Sequence, residues 1–181
     1  LVVDDNAQNR ALAQATLEDE GYEVLLADSG EAGVQAVQEH RPDCVLLDVR
    51  MPGTDGFAVC ARIRALPDGS DTPIVFLTAH GDIEMAVAAM KAGAVDFLVK
   101  PFRTQALLDA VFAALERDRV RRNQQESLSS LRERFNALTL REKEVLLLVA
   151  AGWLNKQIAL DFGISETMVK VHRANGLRKM H

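Results

Sequence analysis

The sequence predicts an α/β fold, a doubly wound five-stranded parallel sheet, followed by a small all-α helix-turn-helix domain. Three observations predict it. Apolar runs of strand length alternate with helical stretches through residues 1–117. Four of these runs end in groups fit for chemistry: Asp4-Asp5, Asp48, Thr78 and Lys100. Beyond them the charge reverses: residues 1–117 hold 9 Lys+Arg against 19 Asp+Glu, a balance of −10, and residues 118–181 hold 12 against 7, a balance of +5. An acidic part joined to a basic part points to two domains, the second near a polyanion.

Leu1-Val2-Val3 makes the first strand, and strand-like sequence at the very start suggests that a few residues precede it. Val24-Leu25-Leu26-Ala27, Cys44-Val45-Leu46-Leu47, Pro73-Ile74-Val75-Phe76-Leu77 and Asp96-Phe97-Leu98-Val99 make the other strands. Their near-continuous apolar character implies cover on both faces of a parallel sheet. Helices are expected over roughly 6–20, 29–40, 56–66, 82–92 and 104–116. Ser29 and Thr104 suit the N-cap, where a hydroxyl accepts from otherwise unpaired amides. Gly21 and Gly93 fall just past helix ends, where a left-handed residue is often needed. Leu108, Val111, Phe112 and Leu115 follow i, i+3, i+4, i+7 and predict a buried stripe.

Residues 118–137 turn to Arg, Gln, Glu and Ser without Pro or Gly, a helical linker. Leu128, Leu131, Phe135 and Leu138 are spaced 3, 4 and 3, a seam that either packs on its own domain or pairs with a second copy. From 138 to 181 a third pattern follows. Thr139-Leu140-Arg141-Glu142 is a capping box opening a helix to Ala151. A second helix covers 155–162, Gly163-Ile164 turns the chain, and Ser165 caps a third helix reaching Met180. Ala159, Gly163 and Val169 supply the close approach, the turn and the lock of a helix-turn-helix.

At 48% hydrophobic and 26% charged, the chain has apolar material for a core. No apolar run approaches the ~20 residues of a membrane span. Cys44 and Cys60 lack metal-site spacing, which favours reduced thiols and a cytoplasmic location.

Parallel strands bring their C-terminal ends to one rim, where open α/β sheets bind ligands. Asp4, Asp5 and Asp48 gathered there repel one another unless a cation sits among them. An all-oxygen set without His or Cys selects a hard ion, most simply Mg²⁺. That ion and Lys100 neutralise an incoming phosphoryl group, leaving Asp48 to attack its phosphorus. Thr78, beside the small Ala79, is placed to hydrogen-bond a phosphoryl oxygen.

These residues carry a resemblance. Residues 1–117 resemble the receiver domain of two-component response regulators, through Val3-Asp4-Asp5, Leu46-Leu47-Asp48 onward to Met51-Pro52-Gly53 and Asp55-Gly56, Leu77-Thr78-Ala79, and Gly93-Ala94 through Phe97 to Lys100-Pro101. The stretch 82–102 looks most like the FixJ branch. The resemblance implies a flavodoxin-like sheet and an Asp48 that takes its phosphoryl group from a sensor histidine kinase. It implies direct Mg²⁺ ligation by Asp5, Asp48 and the Arg50 main-chain carbonyl, Asp4 acting through water, and a cis Lys100-Pro101 bond. It further implies that Thr78 moves toward the phosphoryl group while Phe97 rotates inward behind it, and that Arg50 and His80 tune phosphate lifetime.

On the last helix, Val169, Leu177 and Met180 share a stripe expected to pack inward. Thr167, Lys170, Val171, Ala174 and Arg178 line the other face, suited to a major groove. Lys156, His172, Arg173 and Lys179 are better placed for phosphates. Residues 138–181 resemble the LuxR-type effector domain, through Leu140-Arg141-Glu142, Asn155-Lys156-Gln157-Ile158-Ala159 and Val169-Lys170-Val171-His172-Arg173. Two features depart from it. The family continues into a fourth helix beyond position 181, and Gly176 stands where an apolar core residue is expected, at roughly 1 kcal/mol against Ala.

The combined expectation is a transcription regulator that pairs into a homodimer on phosphorylation and binds promoter DNA. Two other classes compete with it. A haloacid dehalogenase-type phosphatase shares the aspartyl nucleophile, Thr, Lys and Mg²⁺, but carries its nucleophile in a DxD motif on the first strand. A signalling adaptor would use the helix-turn-helix to bind protein.

Overall fold

The computed structural model describes residues 1–67, 69, 71–79 and 83–180. The chain divides into two compact units, Leu1–Val120 and Arg121–His181.

In the first unit, β1 (Val2–Val3), β2 (Leu26–Ala27), β3 (Val45–Asp48), β6 (Ile74–Thr78) and β7 (Asp96–Val99) form a parallel sheet in the order β2-β1-β3-β6-β7. The second strand is two residues rather than the four expected. A small antiparallel pair, β4 (Arg50–Met51) and β5 (Thr54–Asp55), follows β3 and went unread in the sequence. Helices α1 (Ala7–Asp19), α2 (Gly30–His40), α3 (Gly56–Arg64), α4 (Ile83–Lys91) and α5 (Thr104–Asn136) complete the alternation.

Strand alternation splits the core in two. Val3, Val45, Leu47, Ile74 and Phe76 face Val34, Val37, Val59, Ile63 and Ala89 of α2, α3 and α4. Val2, Leu46, Val75 and Leu77 face Ala13 and Leu17 of α1 and Leu107, Ala110, Val111 and Ala114 of α5. The sheet is thus covered on both sides, as its unbroken apolar strands require. The α5 stripe is broader than expected: Leu108, Val111 and Leu115 pack on the core together with Leu107, Ala110 and Ala114, while Phe112 is 61% exposed. Small alanines let α5 approach the sheet, and Phe112 is left facing solvent.

Ser29 caps α2 by accepting from the Ala32 N–H. Thr104 is the first residue of α5 rather than its cap. That helix continues without a break to Asn136, so the expected linker is its second half. Leu128 and Leu131 are exposed on it. Cys44 and Cys60 are free thiols, and burial pushes Cys44 up to about 11.

The second unit contains α6 (Leu140–Ala150), α7 (Asn155–Phe162) and α8 (Glu166–Met180). Thr139 and Glu142 form the full capping box. Val145, Ile158, Ala159 and Val169 are the buried core. Gly163 closes α7 at φ 62°, a left-handed turn that favours glycine. Ser165 Oγ accepts from the Met168 N–H at the start of α8.

Two expectations for α8 change. Leu177 is 42% exposed, and the buried stripe runs through Val169 and Gly176 instead. Gly176 is not a missing core residue, because a Cβ there would lie 2.8 Å from Leu146 Cδ1. The apolar volume comes from α6, and glycine lets α8 close onto it. Among the described residues no helix is long and apolar enough to cross a membrane.

Candidate functional site: an acidic pocket at the sheet rim

Register builds the site. β1 pairs with β3 as Val2 to Leu46 and Val3 to Leu47, so the next residues, Asp4 and Asp48, emerge side by side. This is the point where strand order reverses, the crevice in which open α/β sheets place ligands. β3 pairs with β6 as Asp48 to Leu77, so Thr78 lies one step beyond. Thr78 pairs with Val99 of β7, and Lys100 follows directly. The Lys100-Pro101 peptide is cis, as the resemblance implied.

Lys100 Nζ bridges two carboxylates, 2.6 Å from Asp4 Oδ2 and 2.7 Å from Asp48 Oδ2. Asp4 is fully buried, Asp48 and Thr78 are buried, and Asp5 is exposed. Oxygens of Asp4, Asp5 and Asp48 lie within 4.8 Å of one another. Three carboxylates against one ammonium leave surplus negative charge that a hard dication fits, and all donors are oxygen. Burial pushes the Asp48 carboxyl up from its ordinary value; the hydrogen bond and charge of Lys100 pull it part of the way back. The Arg50 N–H reaches Asp48 Oδ1 at 3.2 Å, so the chain after the aspartate folds back over it. Gly56 permits this, because a Cβ there would overlap the Asp48 carbonyl.

The sequence reading missed three supports, all at the N-terminal end of α1. The Asn6 N–H donates to Asp4 Oδ1 at 2.9 Å. Asn9 Nδ2 donates to both Asp4 oxygens, at 3.2 and 3.1 Å. Arg10 holds the main-chain carbonyls of Asp4 and Asp5 at 2.7 and 3.0 Å. A signal was present: Asn6 is the N-cap, and Asn9 occupies the third helical position, where side chains reach back past the helix start. Among the described residues nothing donates to the Asp5 carboxylate, which leaves it open to solution.

The remaining expected residues are placed as follows. Phe97 is half-buried on β7 and packs against the core on the α2, α3 and α4 side. Arg50 is exposed beside the pocket. His80 lies outside the described residues. In the second unit Thr167, Lys170, Val171, Ala174 and Arg178 are exposed on α8, and Lys156 is exposed on α7. His172 and Arg173 are half-buried, and Arg173 reaches Asn155 Oδ1 at 3.5 Å. Lys179, expected at a phosphate, instead pairs with Glu142 Oε2 at 2.7 Å.

Residues 1–112 match the response regulator receiver domain, and residues 136–181 match the bacterial regulatory proteins of the luxR family. The chain belongs to the response regulators that join a receiver to a LuxR-type DNA-binding domain, a family of transcription regulators rather than classical enzymes. It is 43% identical over 179 residues to nodulation protein W of Bradyrhizobium diazoefficiens, covering 99% of this chain and 78% of the relative. It is 38% identical to the transcriptional regulatory protein FixJ of Azorhizobium caulinodans, over 99% of this chain and 84% of that one. A solved structure of the response regulator StyR aligns with a TM-score of 0.81 at 44% identity, covering 99% of this chain and 89% of that chain. The family match and the place of Asp48 on β3 set aside the haloacid dehalogenase reading.

Proposed function

We propose that Asp48 is the phosphoacceptor through which a sensor histidine kinase controls promoter binding by this chain. Carboxylate oxygen attacks phosphorus, the P–N bond of the phosphohistidine breaks, and the imidazole nitrogen leaves and takes a proton. The observation that carries the reading is the Lys100 ammonium seated between Asp4 and Asp48, with charge left over for a dication. Asp5, Asp48 and the Arg50 main-chain carbonyl would hold Mg²⁺, and Asp4 would support it through water. Mg²⁺ supplies charge neutralisation on the phosphoryl oxygens. Lys100 turns from the carboxylates to a phosphoryl oxygen, and Thr78 donates to another. Phe97 follows Thr78 inward, and because it has no hydroxyl its packing alone reports the change. Arg50 and His80 set how long the phosphoryl group lasts.

The phosphorylated receiver favours pairing into a homodimer, a population shift rather than a new fold. The exposed α8 face of Thr167, Lys170, Val171, Ala174 and Arg178 then reads base edges while Lys156, His172 and Arg173 hold phosphates. The units of function are a receiver over 1–117, a linker over 118–137 and an effector from 138. A DNA-binding regulator acts where the promoter is, in the cytoplasm.

Intact mass after incubation with acetyl phosphate and Mg²⁺ tests this. Wild type gains one phosphoryl group and Asp48→Asn gains none; an adduct on Asp48→Asn would move the nucleophile elsewhere.

A further inference from the structure

We propose that Asn9 is a positioning residue for the metal: its amide holds Asp4 in place so that Lys100 is free to leave the carboxylates for a phosphoryl oxygen. The inference rests on the reading of the pocket as a Mg²⁺-dependent phosphoacceptor site.

Asp4 is 0% exposed, so every lone pair it keeps from solvent needs a donor. The Asn6 N–H serves Oδ1 at 2.9 Å and Lys100 serves Oδ2 at 2.6 Å. Asn9 Nδ2 sits astride the carboxylate, 3.2 Å from Oδ1 and 3.1 Å from Oδ2. Among the described residues Lys100 is the one charged donor to the Asp4 carboxylate, and it is shared with Asp48 at 2.7 Å. When Lys100 turns to a phosphoryl oxygen, Asp4 loses that donor. Without Asn9 the described residues would offer that buried carboxylate a single main-chain N–H, with metal-held water as its other donor, and stranding such a group is costly. The ammonium would then be held back on Asp4. With Asn9 in place, both oxygens keep a partner and the plane of the carboxylate stays fixed.

Asn9 is itself anchored. Its N–H, at 3.4 Å, and that of Gln8, at 2.8 Å, both donate to Asn6 Oδ1, so the first turn of α1 is tied to the residue that also binds Asp4. Its chemistry suits the task. A lysine or arginine astride Asp4 would cancel a carboxylate and compete with the dication. A neutral amide fixes the geometry and leaves the surplus charge intact. By straddling both oxygens it also blocks two-oxygen capture of a cation by Asp4. The metal's direct carboxylate ligands are then Asp5, open to solution, and Asp48.

The test uses the full chain, ¹⁵N-labelled, titrated with MgCl₂ alone and followed by amide shifts. Asn9→Leu removes both hydrogen bonds at nearly constant size. Its Mg²⁺ Kd is expected to rise about 10-fold, the lower end of what losing a hydrogen bond in the surroundings of a metal site costs. Its rate of phosphorylation by acetyl phosphate at saturating Mg²⁺ falls as well, and its unfolding temperature in chelator stays close to wild type. Asn9→Gln, which keeps the donor on a longer arm, recovers part of the loss. Should leucine disturb the first turn, Asn9→Ala is read in the same way. A Kd equal to wild type in these variants, or a fall in unfolding temperature with Kd unchanged, overturns the proposal. A wild-type chain whose shifts ignore MgCl₂ overturns the metal reading itself.

Discussion

Each unit of this protein contains a lysine bonded to a buried carboxylate at nearly the same distance. In the receiver Lys100 lies 2.6 Å from Asp4 and 2.7 Å from Asp48; in the effector unit Lys179 lies 2.7 Å from Glu142. Their electrostatics run in opposite directions. Burial raises Asp48 above its ordinary carboxyl value despite Lys100. The hydrogen bond from Lys179, with that from the Thr139 N–H, lowers Glu142. The cause is stoichiometry. One ammonium is shared by two of the three carboxylates gathered at the rim of the sheet, whereas Lys179 serves one whose second tie is the N-cap of α6. A short lysine–carboxylate distance therefore does not distinguish a staple from a reactive site. Surplus charge does, because it leaves a demand that a dication and a phosphoryl group together meet.

Exchanging the lysines gives the largest expected contrast. Lys100→Met is predicted to slow phosphorylation by acetyl phosphate roughly 10²-fold or more, the scale for losing one donor to developing charge. Lys179→Met leaves that rate at wild type. Intact mass against time checks both, and equal rates in the two variants would erase the distinction drawn above.

Neutralising the carboxylates is the next contrast, with opposite signs. In chelator, Asp48→Asn raises the unfolding temperature because it removes a charge that folding disfavours. Glu142→Gln lowers it because it removes a charge that folding favours. Mg²⁺ at ten times its Kd should stabilise wild type by about 1.4 kcal/mol, or roughly 3–6 °C for a chain of this size. Asp48→Asn should lose that gain and Glu142→Gln should keep it. Differential scanning calorimetry reads all of these.

The receiver site was legible because its residues end apolar runs, and register does the rest. With Val3 opposite Leu47, Asp4 and Asp48 are neighbours without any long-range guess. The Glu142–Lys179 pair gave no such signal. The two residues are 37 apart, on helices whose mutual approach depends on Gly176, and a glycine in a helix reads as a defect until its neighbour is seen. Phe112 and Leu177 were placed inward by a periodicity that is nearly as well fitted one residue to either side. Asn9 and Arg10 look like the solvated start of a helix, because what they hold lies in the loop between β1 and α1. The β4–β5 pair is too short for alternation to reveal.

The smallest effect is the one that separates the two pairs most cleanly, since it leaves both lysines in place and reads only the sign of a slope. Asp48 has an ordinary value of 3.8 and is raised in the fold, so its contribution to stability is complete below 3.8 and is lost as pH climbs through the raised value. Glu142 has an ordinary value of 4.5 and is lowered, so its contribution is complete above 4.5 and is lost as pH falls through the lowered value. Unfolding temperature in chelator, taken as wild type minus Asp48→Asn, should therefore fall with rising pH. Wild type minus Glu142→Gln should rise with it. MgCl₂ should flatten the first slope, because a cation among the carboxylates favours the ionised Asp48, and should leave the second untouched. Slopes of the same sign would mean that Lys100 satisfies its carboxylates as fully as Lys179 does, and the pocket would then hold no unmet charge for a phosphoryl group to exploit.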